Sequence, residues 1–380
     1  TPMLPEQKLT IETHFVHLQD PRIEGMKRHN LLDIVTITLC AVICGAEHWT
    51  QIETFGETHQ GWFSEFLELP EGIPSHDTFG SLFAHISPLE FERCFESWFS
   101  SIIDTLGPQV IGVDGKVLRH SYDRSSNKAA IHMVSAWATE NRLILGQIKV
   151  EEGSNEITAV PPLLRALAIK GCIVTLDALH CQKETAEVII EQGADYVIAL
   201  KRNQEKLYNQ VIEYFDEILV DDPESDTLDF YLTEERGHGR EEVRRYWTTE
   251  RLDWLKGKED WRELRSVGIV ERECWIGDKK SYGYRLYISS LPADAQQLER
   301  AVRGHWQIEN SVHWSLDVAF REDDCRIRKG HSAQNMSVLR RMSLNLLRHE
   351  KTEKGGIKTK RLRAAWDRNY LIKVLFSLSN

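Results

Sequence analysis

Two short apolar runs, each stopping at an aspartate, constrain this chain more than any other feature. Val110-Ile-Gly-Val-Asp114 and Cys172-Ile-Val-Thr-Leu-Asp177 are brief and rich in branched residues, and they read as buried strands. A lone carboxylate is costly to bury, so an acid that closes such a strand belongs at the rim of a sheet, where water and ions reach it. The surrounding pattern is of the same kind. Residues 131–138 and 143–150 are β-like and joined by a hairpin-length connection. Asn155 or Ser154 caps a helix through Leu163, Leu164 and Leu167. Residues 182–192 form an amphipathic helix, and 195–200 another strand. Three strands, helix, strand, helix, strand predicts an α/β fold, a mixed sheet with helices on its faces. If the two acid-ended strands are neighbours, their carboxylates converge. Such a pair suits Mg²⁺, which takes a few carboxylates and keeps waters and substrate phosphates as its other ligands.

The flanks differ in texture. Residues 1–107 read as helical, with Leu31 to Gly45 apolar nearly all round and Ser75 capping a helix to about Ile86. A helix at about 59–69 and the turn at 70–74 precede that one. The layout admits a helix-turn-helix reader of DNA, although the turn is long and such helix pairs are also common filler. From 203 to about 292 the chain looks like a mainly β insertion, with strands at 262–276 and 282–289, followed by one long helix at about 293–317. Residues 332–380 are helical and basic. The expected division is therefore 1–107, 108–331 with its insertion, and 332–380.

On the 293–317 helix, Trp306, Glu309, Asn310, His313 and Asp317 fall on one face. Polar groups mixed with tryptophan are unusual for plain core, though a half-exposed helix anchored by Trp306 and Trp314 has the same pattern. Zinc ligation by His305, His313 or the His180-Cys181 pair matches no familiar zinc spacing; a zinc hydrolase with ligands among His120, His132, His180 and His313 is a further alternative, told apart by metal content.

A formal net charge of −11 argues superficially against a nucleic-acid partner, but the charge is unevenly spread. Residues 1–109 carry 5 Lys+Arg against 16 Asp+Glu (−11), residues 110–299 carry 25 against 34 (−9), and residues 300–380 carry 17 against 8 (+9). Arg326, Arg328, Lys329, Arg340, Arg341 and the run Lys358, Lys360, Arg361, Arg363 concentrate the basic charge, and such a tail can bind phosphates. A solvated helical face is the bland alternative. The seven cysteines contain no Cys-x-x-Cys pair, and Cys40 and Cys44 read as core. No apolar run approaches twenty residues, and the N-terminus lacks the order of a signal peptide. The expectation is a cytoplasmic, nucleoid-associated protein with no membrane partner.

Several motifs together carry a resemblance: Asp-Gly-Lys at 114–116, Ser-Asn-Glu-Ile at 154–157, Asp-Ala-Leu-His-Cys-Gln at 177–182, Gly-His-Gly-Arg at 237–240, His-Trp-Gln-Ile-Glu-Asn at 305–310, Asp-Val-Ala-Phe-Arg-Glu-Asp-Asp at 317–324 and Asp-Arg-Asn-Tyr-Leu at 367–371. The chain resembles the bacterial H-repeat-associated, ISAs-type insertion-sequence transposases of the two-aspartate, one-glutamate (DDE) type over nearly its whole length. The resemblance implies a ribonuclease-H-like catalytic core with a β-rich insertion and an N-terminal helical associated domain. It also implies an acid triad at Asp114, Asp177 and Glu309 holding two Mg²⁺ ions, with Mn²⁺ as a substitute. The implied partners are double-stranded DNA, at terminal inverted repeats and target, and a second copy of the chain on that DNA. Lys116 is then placed to touch a phosphate, and Asn310 and His313 to orient Glu309 or the DNA. Arg326, Arg328, Lys329, Arg340 and Arg341 become the expected DNA contacts. Broader hairpin-forming relatives carry Tyr, Arg and Lys seven before, four before and seven after their glutamate. Here those positions hold Val302, His305 and Leu316, so the resemblance does not extend to a hairpin intermediate. A nuclease that cuts without joining and a non-catalytic DNA-binding remnant are the competing functions.

Overall fold

The computed structural model describes residues 11–103, 107–122, 130–151, 153–237 and 239–377, apart from the side chains of residues 100–103, 309 and 310. The N-terminal part is helical as expected: α1 Leu31–Cys44, α2 Trp49–Thr58, the single turn α3 Gln60–Phe63, α4 His76–His85 and α5 Pro88–Ile103. Ser75 caps α4 by accepting from the Thr78 N–H. The helix expected at 59–69 is reduced to α3, whose Trp62 and Phe63 are buried. One turn cannot serve as the first helix of a helix-turn-helix, so that reading falls.

The strands are β1 Val110–Leu118, β2 Ile131–Ala138, β3 Leu143–Lys149, β4 Ile173–Leu176, β5 Asp195–Leu200, β6 Asp229–Gly237, β7 Arg240–Thr249, β8 Ser266–Ile276 and β9 Lys279–Ser289. They form one mixed sheet in the order β3-β2-β1-β4-β5-β9-β8-β7-β6. β1, β4 and β5 run parallel, and β9 joins β5 antiparallel. The β-rich segment therefore extends the same sheet. Its first two strands escaped the sequence reading because alternation in β6 is carried by charges and half-exposed residues, which give period two little contrast.

Strand parity divides the sheet's faces. Ile111, Val113, Val174 and Leu176 bury against α6 Glu156–Ala166, α7 Lys183–Glu191 and α8 Glu205–Asp221. Gly112 and Thr175 point the other way, toward α9 Ala295–Gln307. Asn155, rather than Ser154, caps α6 through the Thr158 N–H. The single helix expected at 293–317 is instead α9, a π-helical turn Ile308–His313 and α10 Trp314–Phe320. The wider turn shifts every later residue around the axis, so the five-residue stripe read from a regular helix is not continuous.

The C-terminal segment is not a separate basic tail. α11 Ser332–His349, α12 Ile357–Trp366 and α13 Arg368–Leu375 share one core with α1, α4 and α5, through Met336, Leu339, Leu346 and Tyr370 among others. Two basic residues of the expected run close helix ends there. Arg361 donates to the carbonyls of Val42 and Ile43 at the end of α1, and Lys360 to those of Leu347 and Glu350 at the end of α11. Among the described residues no single helix is long and apolar enough to cross a membrane.

Candidate active site

The parallel register pairs Val113 with Leu176. The next residue after each is an aspartate, so Asp114 and Asp177 stand side by side where the β1–β4 pairing stops. Asp177 directly follows β4, whereas Asp114 lies mid-strand, since β1 does not end at the aspartate as expected but runs on beside β2 to Leu118. Parity turns both toward the α9 side. There α9 passes directly over β1: a Cβ on Gly112 would sit 3.7 Å from the Cα of His305 and from the Cβ of Ile308. Gly304 is buried where α9 meets Val110 and Thr139. The backbone of the π turn bearing Glu309 and Asn310 is thus set beside the first aspartate, while those two side chains lie outside the described residues.

Burial pushes the Asp114 carboxyl up to about 7; the Gly115 N–H opposes this, and the negative charges of Asp177 and Glu156 add to it. Oδ1 of Asp177 is buried, with His180 Nε2 3.7 Å away and no hydrogen-bond partner among the described residues. His313 Nδ1 lies 3.8 Å from Asp114 Oδ2. Burial, with the cations Lys116 and Arg341 nearby, pushes His313 down to about 4, so it faces the acid as a neutral ring. His305 is likewise driven down to about 4, chiefly by burial, and meets the Thr175 hydroxyl at 3.4 Å. A cavity of about 260 Å³ opens beside Asp177, lined in part by Lys201, Tyr208, Tyr284, Arg285 and His305.

Sequence reasoning gave Glu156 no role of its own and weighed His132 and His180 only as zinc ligands. Glu156, in the first turn of α6, reaches the rim from the opposite face of the sheet. Its carboxylate oxygens lie 2.5 Å from His132 Nε2 and 3.2 Å from His180 Nε2. His180 leads in holding Glu156 below the usual carboxylate range against its burial, with His132 assisting. Gly115 leaves the room: a Cβ there would collide with the Glu156 carboxyl group. The available signals were the Ser-Asn-Glu cap, which fixes Glu156 at a helix start, and a glycine directly after the catalytic-type aspartate.

Several expected contacts are corrected. Lys116 is half-buried and turned toward Asp317, Glu322 and Asp323, with which it is ion-paired, instead of being held out to solvent. Arg341 is 1% exposed, bonded to Glu322 and Ser337, and Arg340 is also buried. Burial works to raise Glu322, but Arg341, Lys116 and Arg340 overcome it and hold its carboxyl down at about 2. These cations balance an internal acid instead of facing solvent. Arg328 is half-buried, donating to the His120 carbonyl and lying over the Tyr122 ring. Only Arg326 and Lys329 of the five expected contacts are exposed.

Among the described residues no three His, Cys, Asp or Glu side chains form a preassembled metal cage. The donor chemistry nevertheless suits a hard divalent cation, since Asp114 and Asp177 offer neighbouring carboxylates, and burial and the charge of Asp177 both work against ionising Asp114, a cost that a bound cation would offset.

A family model described as DDE_Tnp_1-associated matches residues 12–99, and one described as Transposase DDE domain matches residues 105–346. The chain belongs to the DDE transposase family. Within it, the chain is 42% identical over 367 residues to "H repeat-associated putative transposase YhhI" of Escherichia coli (strain K12), covering 95% of this chain and 96% of that protein. It is 41% identical over 367 residues to "Putative protein YbfL" of the same organism, with the same coverage of each. A shorter stretch of 50 residues, 13% of this chain and 60% of the relative, is 52% identical to "Inactive transposase YbfQ".

Proposed function

We propose that this transposase cleaves and joins DNA at the ends of an insertion sequence, using Asp114, Asp177 and Glu309 as ligands for two Mg²⁺ ions on a ribonuclease-H-like core. The observation that carries the reading is the pair of aspartates, adjacent in parallel register where the β1–β4 pairing stops, beneath the backbone of the Glu309 turn. When bound, the metal pair supplies activation of the attacking oxygen and stabilisation of the leaving one in an in-line displacement. The chain's own residues do the rest. Asp114 and Asp177 would hold the cations that neutralise the reacting phosphate. Glu156, pinned by His132 and His180, adds a further negative charge at the rim. Neutral His313 and His305 line the site without competing as cations for the phosphate. The cavity beside Asp177 gives a substrate group room to enter. DNA carrying terminal inverted repeats and target DNA are the substrates, and the working unit on DNA is a homodimer.

The test is strand transfer by the full chain with DNA carrying the element's own ends in Mg²⁺. Asp114→Asn, Asp177→Asn and Glu309→Gln should each lower cleavage by about a thousandfold or more while DNA binding survives, because loss of several kcal/mol costs tenfold per roughly 1.4 kcal/mol. Cleavage without joining would make the protein a nuclease. Binding without cleavage in Mg²⁺ or Mn²⁺ would make it a DNA-binding remnant.

A further inference from the structure

Beyond Leu200, where β5 ends its pairing with Leu286, the strands β6 to β9 continue past the C-terminal ends of β1, β4 and β5. They form a twisted wall on the same end of the sheet as the aspartates. The face of this wall shared with α9 begins as core, with Tyr246, Val270 and Tyr287 packed on Leu298 and Val302. Farther out on that face it becomes basic. Arg244 stands directly across from Arg272, and Arg240 lies one ladder step beyond Glu242.

All three guanidinium groups converge on the buried carboxylate of Glu242, with Arg272 Nε at 2.9 Å and Arg240 and Arg244 each in an ion pair with it. One acid needs one partner, and like charges directly opposed across a ladder are unfavourable. The cluster carries an excess of two positive charges, and Arg244 Nη1 is buried without an acceptor among the described residues. Glu235, on the same face, is occupied by Arg303.

The neighbouring strand is stripped of side chain where it flanks these arginines. Gly283 lies opposite Arg272, and nothing comes within 4 Å of where its Cβ would be. A glycine inside a strand with open space above it leaves room for another backbone to approach closely. Two residues on, Arg285 is exposed and lies over the Trp306 ring at 4.8 Å, which links the basic strip to the end of α9 and hence to the Glu309 turn.

We propose that Arg240, Arg244, Arg272 and Arg285, with the bare backbone at Gly283, form a phosphate-binding strip that grips duplex DNA and leads it to the acid site. The inference rests on the DNA-cleaving function proposed above and locates the protein's main backbone contact on the sheet extension. Arginine forks fit phosphate oxygens, and Glu242 keeps the guanidinium planes aligned before DNA arrives.

The test measures binding of the full chain, in Ca²⁺, to an element-end duplex and to an unrelated target duplex across a salt series. Arg272→Ala and Arg285→Ala should each weaken binding and lower the log–log salt slope by about 0.9. Gly283→Gln should weaken it by filling the bare stretch of the strip, and Gly283→Glu should weaken it further, because the added carboxylate also repels phosphate. Circular dichroism and melting midpoints confirm that all four variants fold. Loss on the element-end duplex assigns the strip to the element's own end. Loss confined to the target duplex assigns it to target capture. Folded variants with unchanged affinity and slope on both duplexes overturn the inference while leaving the catalytic reading intact. A wild-type chain that binds neither duplex overturns both.

Discussion

Asp114→Asn should make the metal-free protein more stable at alkaline pH, although it removes a group at the heart of the site. The Asp114 carboxyl sits at about 7 in the folded chain against an ordinary 3.8, because burial and the neighbouring acids disfavour its charge. The folded state therefore holds this proton more tightly than the unfolded chain does. The resulting stability is fully present below about pH 4 and is lost as pH rises through 7. A displacement of about three pH units corresponds to roughly 4 kcal/mol at about 1.4 kcal/mol per unit. That figure is a ceiling, since 27% of the side chain remains exposed to screening water. Asparagine never titrates. Urea denaturation in EDTA, followed by tryptophan fluorescence from pH 4 to 9, should show the variant's advantage opening between pH 4 and 7 and then levelling. Glu92, buried and pushed up to about 8, titrates in the same range but is common to both proteins and cancels in the difference. Added Ca²⁺ should close the gap, because a cation bound at the carboxylates stabilises only the wild type. A stability difference that stays flat across the range would refute the reasoning.

Glu322→Gln should cost about 3–5 kcal/mol, because Lys116, Arg340 and Arg341 lose the buried charge that balances them; denaturant titration beside Lys329→Ala, which should fall within about 0.5 kcal/mol of wild type, checks this. Gly304→Ala places a methyl 2.7 Å from Val110 Cγ1 at the α9–β1 contact. It should cost about 1–3 kcal/mol and lower cleavage more than DNA binding, since it lifts the Glu309 turn off the aspartates. Arg326→Ala and Lys329→Ala, both at exposed positions, should change DNA salt dependence without changing the melting midpoint, whereas Arg341→Ala should do the reverse.

Much of the catalytic half was legible because its signals are local. A short run of branched residues that meets an aspartate marks its own buried stretch, although β1 runs on past Asp114 to Leu118, and the strand–helix order fixes which strands become neighbours. The π turn was not legible: its sequence, Ile308 to His313, has ordinary helical composition, and nothing local marks the widening. Nor was Glu156, which serves a site on the far side of its own sheet edge. Its proximity depends on Gly115 having no side chain, and that is a property of the assembled rim rather than of either segment. Strands β6 and β7 were obscured because a sheet edge projecting into solvent can alternate charge with charge.

The C-terminal charge count erred for a reason that bears on the proposed DNA path. Counting residues 300–380 as +9 treats every cation as surface. Arg340 and Arg341 balance Glu322 inside the protein, while Lys360 and Arg361 satisfy the final carbonyls of α11 and α1. A helical layer assembled from both ends of the chain must close several helix termini in its interior, and long cationic side chains do so with their stems packed among apolar neighbours. In the extended strands the same counting errs in the opposite direction. There arginines alternate with glutamates, so the segment's net charge is low. Parity nevertheless sorts Arg240, Arg244, Arg272 and Arg285 onto one face, with Glu242 held beneath three of them. What an approaching phosphate meets is the charge per face, which follows from strand register and cannot be obtained by summing along the chain. By that measure the proposed DNA path follows the sheet extension more than the C-terminal helices.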